Sequence, residues 1–233
     1  MTVLNGCIQG KRAYIITDTA WLKEDGSVVA LGSKFIKGMA FPFLIALTGN
    51  ANPFTLLQKI EEGRPRNGGE LLEVLADALR QSSAAERGLD AGLMVATWNK
   101  RKGHPMLHLL SNSETHWPGI DTVFKPFAIE AVIGGALEPD EIMGRPVDLR
   151  DPLSFDPHKD GAALVDKQRN RYQFEHLGKP AYRIGGAVEV GTLARRGARI
   201  DQVHEWPEDR IGEFIFPRTR YSSSAAGAPT RVG

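Results

Sequence analysis

The chain is poor in the residues that would announce several common functions. It has a single cysteine, Cys7, so no internal disulfide can form. Six histidines are scattered without a cysteine or acidic partner at ligand spacing, which gives no zinc pattern and no indicated metal dependence. Charge of one sign is also missing: 29 Lys and Arg against 28 Asp and Glu leave a net charge of +1, without the basic surplus that phosphate neutralisation demands. Nucleic acid is therefore not an expected partner. No run approaches the roughly 18 apolar residues of a membrane span. The opening Met-Thr-Val-Leu-Asn-Gly-Cys lacks a basic leader and an apolar stretch of signal-peptide length, so a cytoplasmic protein without a membrane partner is expected.

What is present is enough for one well-buried core: 233 residues, 42% of them hydrophobic. Residues 2–8 and 12–17 are β-branched and apolar runs separated by a short glycine-containing loop, the pattern of a hairpin. The short runs 27–31 and 34–36 suggest a second strand pair, and 43–48 is apolar enough to be buried on both faces. Asn52-Pro53 reads as a cap followed by a first-turn proline, opening a helix that ends near Gly63. Leu71, Leu72, Leu75, Ala78 and Leu79 predict a second helix over 70–81. Strands are expected at 93–98 and 106–110, joined by a basic turn, and at 127–133. Asp156-Pro157 opens another helix through about residue 172, and strands at 182–193 and 200–204 follow. The expected architecture is α/β (α+β), a four-layer αββα sandwich of two mainly antiparallel sheets. Residues 1–217 would form one domain, with 137–155 as a long loop or insertion and 218–233 as a disordered tail.

Three polar positions carry candidate chemistry. Removal of Met1 would leave Thr2 with a free α-amine beside its own hydroxyl, so that one residue supplies nucleophile and base; an N-terminal amine has a reference pKa of about 7.7–8.0. Asp18 lies at the end of the second expected strand and Lys34 opens the run 34–36. At these residues the sequence resembles the proteasome β-subunits and the HslV-type peptidases of the N-terminal-nucleophile (Ntn) hydrolases, in which an N-terminal threonine, an aspartate and a lysine stand at the same offsets. The likeness continues through Ile45-Ala46-Leu47-Thr48-Gly49, which looks like the strand leading to that family's oxyanion-hole glycine.

The resemblance implies that Thr2 attacks a peptide carbonyl, that Lys34 lowers the basicity of the site, that Asp18 orients Lys34, and that Gly49 donates its N–H to the oxyanion. It further implies no cofactor, a peptide or protein substrate, a homo-oligomer assembled as rings, and an ATP-driven unfoldase as partner. Plainer readings stand beside these: Asp18 as a polar strand end, Lys34 as a surface edge residue that discourages strand pairing, and Gly49 as a turn glycine. The chain departs from the family's pattern at Ile133-Gly134-Gly135-Ala136, where a serine that supports the amine is commonly found; Ser111 and Ser113 are the available substitutes. That departure keeps two alternatives open, a catalytically inactive proteasome-fold assembly protein of a phage or operon-specific particle, and a small-molecule Ntn amidase. Cys7 would be a rival nucleophile only if the chain were cut after Gly6, which would shorten the first strand; His104, His108 and His204 read as hairpin or strand-surface groups.

Overall fold

The computed structural model describes residues 3–50, 52–85, 90–134 and 139–217. In chain order the strands and helices are β1 (Leu4–Gln9), β2 (Arg12–Asp18), β3 (Ala20–Leu22), β4 (Val28–Leu31), β5 (Phe35–Lys37), β6 (Phe43–Gly49), α1 (Pro53–Gly63), α2 (Gly68–Ala85), β7 (Ala91–Asn99), β8 (His104–Ser111), β9 (Phe127–Ile129), β10 (Ala131–Val132), α3 (Pro139–Met143), α4 (Pro157–Arg171), β11 (Gln173–His176), β12 (Lys179–Tyr182), β13 (Ala187–Ala194) and β14 (Gly197–Glu205).

Two five-stranded sheets dominate, one ordered β10-β1-β2-β13-β14 and the other β5-β6-β7-β8-β9; β3-β4 and β11-β12 form separate ribbons. The pairings between these strands are antiparallel. Most buried apolar side chains fall into three slabs, with a smaller cluster of Ala20, Val28, Tyr182 and Ile215 under the β3-β4 ribbon. Leu56, Ile60, Leu71, Leu75 and Leu79 of α1 and α2 pack on Ile45, Leu47, Leu93 and Val95 of the second sheet. Leu4, Ala13, Ile15 and Leu193 of the first sheet face Leu44, Ala46, Met94 and Leu107 of the second. On the far side of the first sheet, Tyr14, Ile16, Val188 and Val190 meet Leu164 and Val165 of α4. Each slab removes apolar surface from water at roughly 25 cal/mol per Å², so the sheets and their covering helices stabilise one another.

Local chemistry explains the helix ends. Asn52 accepts a hydrogen bond from Phe54 N at 2.9 Å with Pro53 in the first turn, and Arg64 closes α1 in the left-handed region at φ 43°. The second helix starts before the expected residue 70 because Asn67, in a stretch that reads as polar loop, caps it by accepting from Gly69 N and Glu70 N. Asp156 caps α4 through His158 N at 3.0 Å, with Arg169 and Arg171 in the last turn where a cation complements the helix dipole.

Four expectations about strands and loops need correction. The run 27–31 does not pair with 34–36: β4 pairs with β3, and β5 joins β6 in the other sheet. The run 127–133 is two strands, since β9 pairs with β8 and β10 with β1, leaving Glu130 alone to carry the chain from one sheet to the other. The run 182–193 is interrupted at Gly185-Gly186, so that β12 and β13 belong to different sheets. Within 137–155, residues 139–155 contain α3 and bury Ile142, Val147, Leu149 and Phe155 against the first sheet. That segment is tied down by Gln9, whose side-chain amide donates to Leu149 O and Phe155 O, both at 2.8 Å. The expected tail, 218–233, lies outside the described residues.

Candidate active site

Asp18 and Lys34 come from different sheets and meet in the interior. Asp18 ends β2, while Lys34 immediately precedes β5 and is tied to the neighbouring strand by Leu47 N, which donates to Lys34 O at 3.1 Å. Lys34 Nζ lies 2.9 Å from Asp18 Oδ1, and both side chains are 0% exposed. The second oxygen, Oδ2, accepts from Ala20 N at 3.3 Å and Gly185 N at 3.2 Å. The indole of Trp21 sits 5.8 Å from the ammonium. Burial pushes the Lys34 pKa below the ordinary lysine value, while Asp18 and, more remotely, Glu189 oppose that fall. The surface readings of Asp18 and Lys34 are thereby overturned: a buried ammonium is tolerated only beside a carboxylate that is itself hydrogen-bonded.

A cleft of about 540 Å³ opens above the ends of β1 and β6, with Val3 and Leu4 on one wall and Thr48, Gly49, His116 and Trp117 among the residues of the other. The register Leu4↔Thr17, continued by one residue, sets Val3 level with Asp18. Thr2, the expected nucleophile, lies outside the described residues.

Gly49 ends β6 at φ 82°, and a Cβ there would run into the backbone of Asp90. The next residue is clamped: Asn50 N donates to Asp90 O and Asp90 N donates to Asn50 Oδ1, each at 2.7 Å. Asp90 Oδ1 in turn lies 2.9 Å from His116 Nε2. Burial lowers the His116 pKa from 6.5, with Asp90 acting in the opposite direction, so the ring is neutral at neutral pH. The sequence reading did not single out Asp90 or His116. They are far apart in the chain, and His116 sits in a turn-rich stretch without periodicity, so nothing local marked the pair.

The place expected to hold a supporting serine is built differently. Asn5 and Gln168 exchange side-chain hydrogen bonds, each 2.9 Å, and Asn5 Oδ1 also accepts from Gly134 N at 3.0 Å. A Cβ on Gly134 would stand 2.8 Å from Leu4 O and 3.0 Å from Leu4 N, so no side chain fits there. Ser111 is committed elsewhere, donating to Ser113 O at 2.8 Å and sharing a hydrogen bond with Thr122 Oγ1, and neither Ser111 nor Ser113 lines the cleft.

Cys7 is inert by placement. It is buried in mid-strand between Tyr14 and Ala131, and burial, with a smaller effect of Asp148, pushes its pKa up to about 12. Among the described residues no cluster of three His, Cys, Asp or Glu side chains is placed to hold a metal ion, and no helix is long and apolar enough to cross a membrane.

No protein-family model matches the chain, and no curated protein matches it. Its fold is similar to a solved structure, a Gly-1 mutant of Anbu from Hyphomicrobium sp. strain MC1, with a TM-score of 0.60, 13% identity and coverage of 90% of each chain. Anbu is an HslV- and proteasome-like protein of the Ntn-hydrolase family, and at this identity the likeness establishes a proteasome-like fold for the present chain.

Proposed function

We propose that the chain is a single-domain Ntn hydrolase that cleaves peptide bonds with Thr2 after removal of Met1. The observation that carries the reading is the buried Asp18–Lys34 pair, 2.9 Å apart, with Asp18 level with Val3 just ahead of β1. An ion pair with no solvent exposure is a poor stabiliser of the fold, and its position near Val3 suits activation of a group on the residue that precedes it.

In this mechanism the Thr2 α-amine takes the hydroxyl proton as Oγ1 attacks the carbonyl carbon, and the resulting oxyanion is received by Gly49 N–H. The amine returns the proton to the departing amide nitrogen, leaving an acyl-threonine ester. Water then attacks that ester with the amine again as base, releasing the acid and restoring Thr2. Lys34, held by Asp18, favours the deprotonated state of its neighbours through its charge. No metal or organic cofactor enters these steps. The proteasome-like fold supports a homo-oligomer, with rings and an ATP-driven unfoldase as the finer form of this proposal. Action in the cytoplasm belongs to the same proposal.

Reaction with an N-terminal-threonine-directed electrophile, followed by mass spectrometry, tests the nucleophile. An adduct on Thr2, and loss of peptide turnover in Thr2→Ala with the fold intact, is the expected result; undiminished turnover in Thr2→Ala overturns the assignment.

One observation favours a second reading. The closure of Gly134 against Leu4 leaves no room for a side chain at that position, which supports a catalytically silent assembly protein. Retention of Met1 in the mature protein, read from its intact mass, would favour it.

A further inference from the structure

The turn that holds Asp18 is itself held from behind. Gly185 N donates to Asp18 Oδ2 at 3.2 Å, and the adjacent Gly186 N donates to Asp209 Oδ2 at 2.7 Å. Two carboxylates thus grip consecutive amides of one turn, Asp18 from the site side and Asp209 from the far side. The backbone closes the same turn: Ala20 N donates to Gly185 O at 3.0 Å, and Trp206 N to Gly186 O at 2.8 Å. Only glycine permits this double approach. A Cβ on Gly185 would collide with the Asp209 carboxylate, and Gly186 stands at φ 77° with its Cβ direction filled by Thr19 Oγ1.

Asp209 is fixed in its turn. Arg169, on α4, donates from Nη1 to Asp209 Oδ2 at 2.6 Å and from Nη2 to Oδ1 at 2.8 Å, with side-chain exposures of 3% and 1%. The guanidinium is stacked between Trp206, 4.3 Å from the ring centre, and Tyr182, at 4.8 Å. A bidentate, aromatic-sandwiched pair has one geometry, whereas a lone buried carboxylate would have several. The proposed mechanism above makes no use of this pair, and a buried ion pair of this kind is weak as a device for stability alone.

We infer that Asp209, locked by Arg169, is a positioning residue of the active site: it sets the Gly185–Gly186 turn, which sets the carboxylate of Asp18 and through it the ammonium of Lys34. The relay runs from α4 through β13's leading turn to the end of β2, and it links the outer helix to the site. The inference rests on the hydrolase reading for its functional meaning, though its physical content can be measured without turnover.

Two double variants separate positioning from stability. Arg169→Met with Asp209→Leu removes the charges together and deprives Gly186 N–H of its acceptor. Arg169→Met with Asp209→Asn removes the same charges but keeps an acceptor oxygen. In isotope-labelled full-length protein, the Lys34 titration is followed by NMR together with amide exchange at Gly185 and Gly186. Two acidic groups bear on that titration, Asp18 from β2 and Glu189 from β13. The Leu double should shift the Lys34 midpoint downward by about one pH unit, because Asp18 is less well placed to oppose burial, and should accelerate exchange at both glycines. The Asn double should stay close to wild type in both readouts. Peptide turnover by the Leu double should fall, on the order of 10²-fold for a displacement approaching 1 Å.

An unshifted Lys34 midpoint and unchanged Gly185 exchange in a folded Leu double would overturn the inference. So would an Asn double that shifts as far as the Leu double. If wild type itself shows no turnover while the Lys34 shift occurs, the hydrolase reading fails and the relay stands.

Discussion

The main chain of Asp90 occupies the space into which any side chain on Gly49 would project. Together with φ 82° at Gly49, this makes the end of β6 a position for glycine alone. Gly49→Ala should lose about 1–3 kcal/mol of stability from backbone strain, with the collision adding to it. Chemical denaturation checks the first part. If the Gly49 amide serves the oxyanion, its displacement should also lower turnover by roughly 10²–10³-fold, measured on the folded fraction.

Replacing one member of the Asp18–Lys34 pair should be far more damaging than neutralising both. Lys34→Met leaves a buried carboxylate without its cation and should cost about 3–5 kcal/mol in equilibrium unfolding. Lys34→Met with Asp18→Asn keeps an acceptor for Ala20 N and Gly185 N, whose bonds to Asp18 are 3.3 and 3.2 Å, and should recover most of that loss. A double variant as unstable as the single would show that the charges matter less than the shape they fill.

His116 gives the fold a defined acid sensitivity. Its folded pKa is depressed below 6.5 by burial, so the unfolded chain binds the proton more readily. The contribution to stability is complete above about pH 6.5 and is lost as pH falls towards the lower folded value, with a slope of at most about 1.4 kcal/mol per pH unit. In His116→Gln that component should vanish, so the stability difference between wild type and variant should change in this window and be flat above it. Denaturation curves at a series of pH values are the measurement.

Cys7 should resist alkylation in the native protein at mildly alkaline pH, because its pKa is pushed up to about 12, and should react readily once the chain is unfolded. Mass spectrometry after iodoacetamide treatment reads this directly. Rapid native labelling would mean that β1 opens far more often than its paired, buried position implies.

The early elements were legible because their signals are local. Hairpin alternation, the Asn52-Pro53 and Asp156-Pro157 caps and the leucine spacing of α2 each involve neighbours within a turn or a strand. The crossing at Glu130 is not legible, since one charged residue inside an otherwise apolar run carries no mark of which sheet each half will join. Gly185-Gly186 lies inside a largely apolar run, so its interruption of the strand is not marked locally. Asp18 and Lys34 could be named only through the resemblance to the proteasome β-subunits, and their burial depends on partners brought from Gly185 and Leu47. Asp90 with His116, and Arg169 with Asp209, exist only after distant segments meet.

Glu130 is the only residue between β9 in one sheet and β10 in the other. One residue spans at most about 3.6 Å, so along this border the sheets are stitched with almost no slack. Any separation of the two sheets along this border would have to stretch or break a connection one residue long.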